Sequence, residues 1–497
     1  MSREDTVQHF DVVVVGAGPA GLTAAAEIAR AGRSVTVLEK RGQPSDLSRA
    51  FGVHARTLEF LDQRGLAEEL TTTGVCAPGL RLLGKAEIDL RRLQSPYPCI
   101  LVTPQSNVDR LLERYAHAQG AVVERGVEVT DVAQQADTVR VVGRRGDVTE
   151  EWTCRYLVAA DGVHSPVRRI TGQPFPGRSV LRSVVLADAY LDTPPQSLVT
   201  VNAAKDCFAF LAPFGDGMYR VITWDRHDQQ DKDAPVDPEA IRRVLRRVMG
   251  TSFGLREVAW TSRFHCDERQ LPSYRDGRIF FCGDAAHAHS PAGGQGMNTG
   301  IQDAANLGWK LAAVLDGAGP EILDTYQAER HPVGRIVLRS SGAMIRAMTV
   351  RPLPLRLLRT GLLRLILGLR PTASKAAQTF SGIGIAYGRR RGEHRLTGTR
   401  APDLPLHDGG RLFTALRTPG FLLVLEQGAG IPAGVPASMG VMHREKDGPA
   451  LLVRPDGYVA WAGDSTDERW SAVHTRWVAA HGGTGPVKHP FSDRSSR

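Results

Sequence analysis

Residues 11–39 read DVVVVGAGPAGLTAAAEIARAGRSVTVLE, and this stretch decides the fold. Residues 11–15 form a short β-branched run of strand character. The turn Gly16-Ala17-Gly18-Pro19-Ala20-Gly21 follows, then a helical pattern from Leu22 to Arg30 closed by Gly32. Residues 34–39 read as a second strand. This is a βαβ unit with G-x-G-x-x-G at its first turn and an acid, Glu39, about 20 residues on. Gly16, Gly18 and Gly21 let the backbone approach a pyrophosphate, and the helix N-terminus at Pro19 and Ala20 faces that charge. Glu39, with Lys40 beside it, stands where an adenosine ribose is held, and its negative charge disfavours a 2′-phosphate there. A dinucleotide-binding α/β domain is expected.

A second stretch, residues 282–311, reads CGDAAHAHSPAGGQGMNTGIQDAANLGWKL and follows the apolar run 278–282. Asp284 is an acid at a strand end, which suits a hydroxyl-rich ligand chain. Pro291, Gly293, Gly294 and Gly296 then lead into a long helical pattern through Met297 and Asn298. A glycine-rich helix start suits an anion or an electron-rich carbonyl. Asp284 and this helix start lie seven to twelve residues apart, about the reach of one extended cofactor. The stretch therefore reads as the seat of a cofactor's reactive end, its other end being held by residues 16–39.

A third motif, Asp161-Gly162-Val163-His164-Ser165-Pro166-Val167-Arg168, follows the apolar strand 156–160. Between it and residue 282, residues 180–226 and 254–266 alternate apolar and aromatic positions, as an antiparallel sheet does. Cofactor motifs on both sides of this sheet imply a discontinuous cofactor domain, residues 1–178 and 270–395, with the sheet domain 179–269 folded out of its middle. Phe208, Phe210, Phe214, Trp224 and Phe264 are its candidate substrate-facing positions; each can equally be sheet core. Residues 396–497 form a separate small α/β domain, with a hairpin signal at Pro455-Asp456-Gly457.

Composition narrows the function. Six cysteines are scattered without C-x-x-C spacing, which favours reduced thiols over a disulfide framework or a zinc site. No metal site is expected; His287 and His289 lack the spacing and carboxylate company of ligands. The net charge of +9 comes from dispersed arginines without interleaved aromatics, which argues against nucleic acid. Residues 1–9 are polar and no stretch reaches transmembrane length, so a cytoplasmic location is expected. Residues 353–369 are leucine-rich and interrupted by Arg356, Arg359 and Arg364. They read either as a membrane-surface helix or, the favoured expectation, as a helix packed on the protein with its arginines in solvent.

Taken together, the three motifs resemble those of the single-component FAD-dependent aromatic hydroxylases of the p-hydroxybenzoate hydroxylase type. The string Ala292-Gly293-Gly294-Gln295-Gly296-Met297-Asn298, then Gln302-Asp303-Ala304 and Asn306-Leu307-Gly308-Trp309-Lys310, is the most specific part. Tyr326-x-x-Glu329-Arg330-x-Pro332 adds to it. The likeness covers essentially the whole chain and is greatest to the subgroup acting on aromatic polyketides and related antibiotics.

The resemblance implies a Rossmann-like FAD domain with an inserted substrate sheet, and a C-terminal thioredoxin-like domain. That last domain has no cysteine, so a thiol redox role is excluded. It also implies Arg49 near the FAD phosphates, Gln105 on the ribityl chain or a phosphate, Asp284 on the ribityl hydroxyls, Pro291 beside the ring, Gly294 among the cofactor-binding residues and the backbone of Gly296, Met297 and Asn298 at the ring's pyrimidine edge. Asp161 serves FAD and NAD(P)H, or is structural. The implied activity is hydroxylation of a polycyclic phenol with O₂ through a flavin C4a-hydroperoxide, with NADPH or NADH as transient reductant, in a monomer or homodimer. Baeyer–Villiger insertion, antibiotic inactivation, another flavin oxidoreductase activity and non-catalytic ligand binding stay open. No catalytic acid or base is evident.

Overall fold

A computed structural model describes residues 7–44, 50–83, 86–215 and 217–479. Its first sheet is built around the strand Gln8–Val15, which pairs in parallel with Val35–Glu39 on one side and Val148–Ala159 on the other. Ile279–Phe281 extends the parallel set beyond Val148–Ala159. Val12, Val13 and Val14 are fully buried, as a strand covered on both faces must be. The register places the C-terminal ends of four strands side by side: Val15 pairs with Leu38 and with Ala159, and Ala159 with Phe281. The loops leaving those ends carry Gly16–Gly21, Glu39, Asp161 and Asp284, so four motifs distant in sequence share one rim.

Small residues allow the two cofactor helices, Pro19–Arg30 and Gly296–Leu315, to meet. A Cβ added to Gly300 would lie 3.2 Å from Gly283 Cα and 3.3 Å from Ala20 Cβ. Further along the same crossing, a Cβ on Gly308 would be 2.6 Å from that of Glu27. Larger residues here would push apart the halves of the cofactor groove.

The second sheet is mixed and eight-stranded. Its centre is the antiparallel set Gly177–Leu191, Cys207–Gly215, Met218–Asp225 and Leu255–Gln270. It also takes in Gly79–Leu82 and Ala86–Asp89 from well before this segment, and His287–Ala288 from after it. Strand alternation sorts its faces. Cys207, Ala209 and Leu211 pack with Ile241, Val244 and Leu245 of the amphipathic helix Pro238–Met249. Phe208 and Ala212, with Ile222 and Trp224, join a separate core on the other face, toward the cofactor domain.

The C-terminal domain has strand order second–first–third–fourth, Gly440–His443, Leu422–Leu425, Ala450–Val453 and Val459–Gly463. Only the first pair is parallel, and the helix Arg469–Val478 follows. This is the thioredoxin-like arrangement. The hairpin at residues 455–457 forms, with Gly457 at φ +75°. Its tip is buried: Asp456 is 2% exposed, Arg56 donates to the Asp456 carbonyl at 2.8 Å, and Arg64 to that of Pro455 at 2.9 Å.

The helix Leu353–Gly368 departs from the favoured expectation. It has no buried residue, and Leu355, Leu358, Leu362 and Leu365 are 47–59% exposed. Arg356 and Arg359 are the half-covered ones, and Arg359 Nη1 donates to the Ala347 carbonyl at 2.7 Å. The side turned to the protein carries Arg356, Arg359, Leu363 and Leu367, while Arg364 is exposed.

Candidate functional site

The glycine turn has the shape its sequence requires. Gly16 has φ +101°, and a Cβ there would lie 2.5 Å from the Ala160 carbonyl oxygen; one on Gly21 would lie 1.9 Å from that of Gly16. Gly18 differs, because a Cβ on it would meet nothing within 4 Å. Two glycines thus close the turn against the protein and the third leaves space in front of it. The helix Pro19–Arg30 starts without a side-chain cap, so its first amides are available to a pyrophosphate. Glu39 is buried at the groove edge, accepting from the Ala17 amide at 2.8 Å and from Arg41 Nε at 2.9 Å. Burial favours its neutral form, yet these bonds outweigh burial and hold the carboxyl below its usual range. Lys40 is exposed beside it.

At the other end Asp284 is exposed on a short 3-10 turn, Gly283–Ala285. Its Oδ1 lies 3.9 Å from where a Gly296 Cβ would stand, which places it at the start of the helix Gly296–Leu315. That helix also begins without a side-chain cap. Asn298 holds the strand Gly52–Val53 against the loop: it accepts from the His54 amide and donates to the carbonyls of Gly52 and Gly294, each at 2.8 Å. Met297 is half-buried against the main core. Gln105 opens the helix Gln105–Ala118 and accepts from the Ala50 amide at 3.2 Å. Arg49 lies outside the described residues.

The Asp161 motif bridges the two ends. Asp161 accepts from the Val167 amide at 3.0 Å, and its other carboxyl oxygen is buried without a partner. Burial pushes this acid up to about 6. Arg168 donates to the carbonyl of Ala285 at 2.9 Å, next to Asp284, and lies 3.8 Å over the Phe175 ring. Asp109, which sequence reasoning missed, sits by Gln105 and is likewise raised by burial, to about 7.

Between the glycine-rich loop and the second sheet lies an apolar cavity. Pro291 and Gly294 line it on the loop side, Phe208 and Phe210 on the sheet side. Phe214, Trp224 and Phe264 are not among its lining residues. Phe214 instead lies 3.9 Å from the guanidinium of buried Arg220, which is bidentate to Asp188. Trp224 stacks behind Phe208 and donates to the Arg182 carbonyl, and Phe264 packs on the same core. Sequence reasoning missed Phe51, which meets Phe210 at 5.2 Å, and Met344, Met348 and Phe380 from the helices that close the far side. It also passed over His54, whose ring is 4.9 Å from that of Phe380. Burial pushes the His54 imidazole down to about 4, although the carbonyls of Phe380, Gly293 and Gly294 favour its charged form. Among the described residues no Asp, Glu, Lys or Arg lines the cavity.

A groove closed by two glycines and opened by a third, with an uncapped helix start and an acid at each end, fits one extended dinucleotide. Comparison with known proteins agrees. Residues 9–341 match the family described as FAD binding domain, and residues 394–480 match aromatic-ring hydroxylase, C-terminal. The chain belongs to the FAD-dependent aromatic-ring hydroxylases. It is 37% identical over 482 residues to a rifampicin monooxygenase of Streptomyces venezuelae, covering 95% of this chain and all of that one. It is 40% identical over 492 residues to a 12-dehydrotetracycline 5-monooxygenase/anhydrotetracycline 6-monooxygenase of Streptomyces rimosus, covering 91% and 95%. The solved anhydrotetracycline hydroxylase of Streptomyces rimosus superposes with a TM-score of 0.82 at 35% identity, covering 95% of this chain and 99% of that one. As a member of this family the protein is a flavin-dependent monooxygenase, and FAD is its cofactor.

Proposed function

We propose that this monooxygenase hydroxylates a polycyclic phenolic substrate of the aromatic polyketide kind, with NADPH or NADH as reductant and O₂ as oxidant. The observation that carries the reading is the cavity: apolar, lined by no charged side chain among the described residues, and walled on one side by Pro291 and Gly294. An uncharged lining selects a neutral, flat, apolar body over a small carboxylate. The likeness to rifampicin and tetracycline monooxygenases supports the same substrate class.

When bound, FAD supplies the oxygen chemistry. The chain's part is to bind and orient. Gly16, Gly18 and Gly21 admit the pyrophosphate, Glu39 the ribose, and Gln105 and Asp284 the ribityl chain. Arg49 is proposed at the phosphates, and Asp161 at the junction of FAD and reductant. The amides of residues 296–298 are positioned to favour negative charge at the ring's edge. Phe51, Phe208 and Phe210 offer aromatic surface to the substrate. The apolar walls exclude water that would divert the oxygen. His54 is neutral at working pH, so the cavity stays uncharged. The six free thiols fit a reducing, cytoplasmic setting.

A panel of phenols graded from one ring to four, added to the holoenzyme with NADPH, tests the reading. Stimulation that grows with ring number supports it; stimulation by single-ring acids alone would refute it. Product NMR separates ring hydroxylation from Baeyer–Villiger lactone formation.

A further inference from the structure

We propose that the helix Leu353–Gly368 is a docking element for an anionic phospholipid surface. Three observations carry this. The first is the stripe itself. At about 100° per residue, Leu355, Leu358, Leu362, Leu365 and Ile366 fall within an arc of about 100°. All five are 44–59% exposed. A leucine stripe about three turns long facing water is costly unless something covers it.

The second is charge. Residues 335–375 hold nine arginine and lysine side chains and no acid, which equals the +9 net charge of the whole chain. Six of them, Arg335, Arg339, Arg346, Arg364, Arg370 and Lys375, are exposed and take part in no ion pair among the described residues. Arg335, Arg339 and Arg346 fall within about 40° on the helix Asp324–Met348. This charge selects the occupant. A second copy would bring cation against cation around the leucines, whereas an anionic bilayer offers both hydrocarbon and opposite charge.

The third is position. A groove runs beside the stripe, bounded by Ile366, Thr372 and Lys375 on one side and by Ala292 and Gln295 on the other. It shares Ala292, Met344 and Phe380 with the apolar cavity. Docking would set this groove at the lipid surface, where polycyclic aromatics concentrate. The docking itself does not depend on the substrate reading.

Flotation of the FAD-loaded enzyme with vesicles tests the proposal. With phosphatidylcholine and phosphatidylglycerol in equal parts, the enzyme is expected to float at low salt and to be released as salt rises. Leu358→Glu with Leu362→Glu is expected to weaken binding at least about 10-fold. The triple change Arg335→Gln, Arg339→Gln and Arg346→Gln is expected to weaken it on the order of 100-fold. These side chains are exposed and lie outside the cofactor groove, so FAD content and thermal melting should be unchanged and loss of binding is not loss of fold. Failure of wild-type enzyme to float at any salt concentration would overturn the proposal. So would equal, salt-independent binding to pure phosphatidylcholine. A wild-type dimer that the leucine changes convert to monomer, without vesicle binding, would assign the stripe to a second copy and overturn it as well.

Discussion

The helix Gly296–Leu315 passes through two opposite electrostatic settings. The loop that leads into it, residues 291–294, walls a cavity lined by no charged side chain among the described residues. Further along the helix, side chains enter a dense buried charge network. Asp303 accepts from Arg330 Nε at 2.7 Å and bonds His287 Nε2 at 2.6 Å, all three being almost fully buried. Lys310 donates to Glu329 at 2.8 Å, and Glu329 in turn takes Arg454 of the C-terminal domain at 2.6 Å. Burial alone would raise the Glu329 carboxyl, but Arg454 and Lys310 outweigh it and hold it at about 2. The network joins the cofactor loop, the helix Asp324–Met348 and the buried tip of the C-terminal hairpin. The contrast shows where charge is used: to fix the position of the helix start, and not to touch substrate. Geometry comes from the ion pairs and chemistry is left to the cofactor.

The sharpest way to break this contrast is to strand one charge. Asp303→Ala leaves Arg330 buried without its carboxylate and is expected to cost about 3–5 kcal/mol in urea unfolding. Asp303→Leu with Arg330→Met should recover much of that stability while lowering FAD retention, since the position of Gly283 is no longer held by Asp303. Equal stability of Asp303→Ala and wild type would refute the network's role.

Acid is the next probe. His54 has its folded value depressed to about 4 from 6.5, so the unfolded chain binds the extra proton first. The stability it contributes is complete above pH 6.5 and is lost as pH falls toward 4, by roughly 3 kcal/mol. His54→Gln should flatten the stability profile in that window. The Glu329 contribution is lost lower, from about 4.5 down to about 2, and should persist in the variant. An unchanged profile between pH 6.5 and 4 in His54→Gln would contradict the burial of a neutral imidazole.

Two milder changes separate cofactor from cavity. Gly18→Val points into open space within the protein, so the apoprotein should melt normally while FAD binds about 100-fold more weakly, some 2.7 kcal/mol, seen as lost yellow colour. Ile222→Trp fills the cavity from the sheet side and should leave flavin content intact. Its kcat/KM for a four-ring phenol should fall about 10–100-fold, or about 1.4–2.8 kcal/mol, with a smaller change for one ring.

The cofactor groove was legible in the sequence because its signals are local. A glycine turn, an acid at a strand end and a glycine-rich helix start each carry their geometry within a few residues, and the parallel sheet brings them together. The cavity was only half legible. Phe208 and Phe210 announce themselves as alternating aromatics, but Phe214 is drawn off to Arg220 and Trp224 to the layer behind. Met344, Met348 and Phe380 reach the cavity only through the packing of distant helices, which periodicity does not encode. The hairpin at 455–457 was legible as a turn, whereas its burial depends on Arg56 and Arg64 four hundred residues earlier. The helix Leu353–Gly368 showed its two stripes, but which one meets the protein depends on neighbours.

The proposed role of the apolar cavity is to present a polycyclic phenol to an oxygen-activating flavin. Its most direct test is stoichiometry: holoenzyme, NADPH, O₂ and a four-ring phenol, with each reactant and the product followed together. Phenol is expected to trigger NADPH oxidation, NADPH and O₂ to disappear one for one, and a product one oxygen heavier to form in equal amount. Binding of such phenols without acceleration of NADPH oxidation, or oxidation that yields only hydrogen peroxide across the whole series, would contradict it.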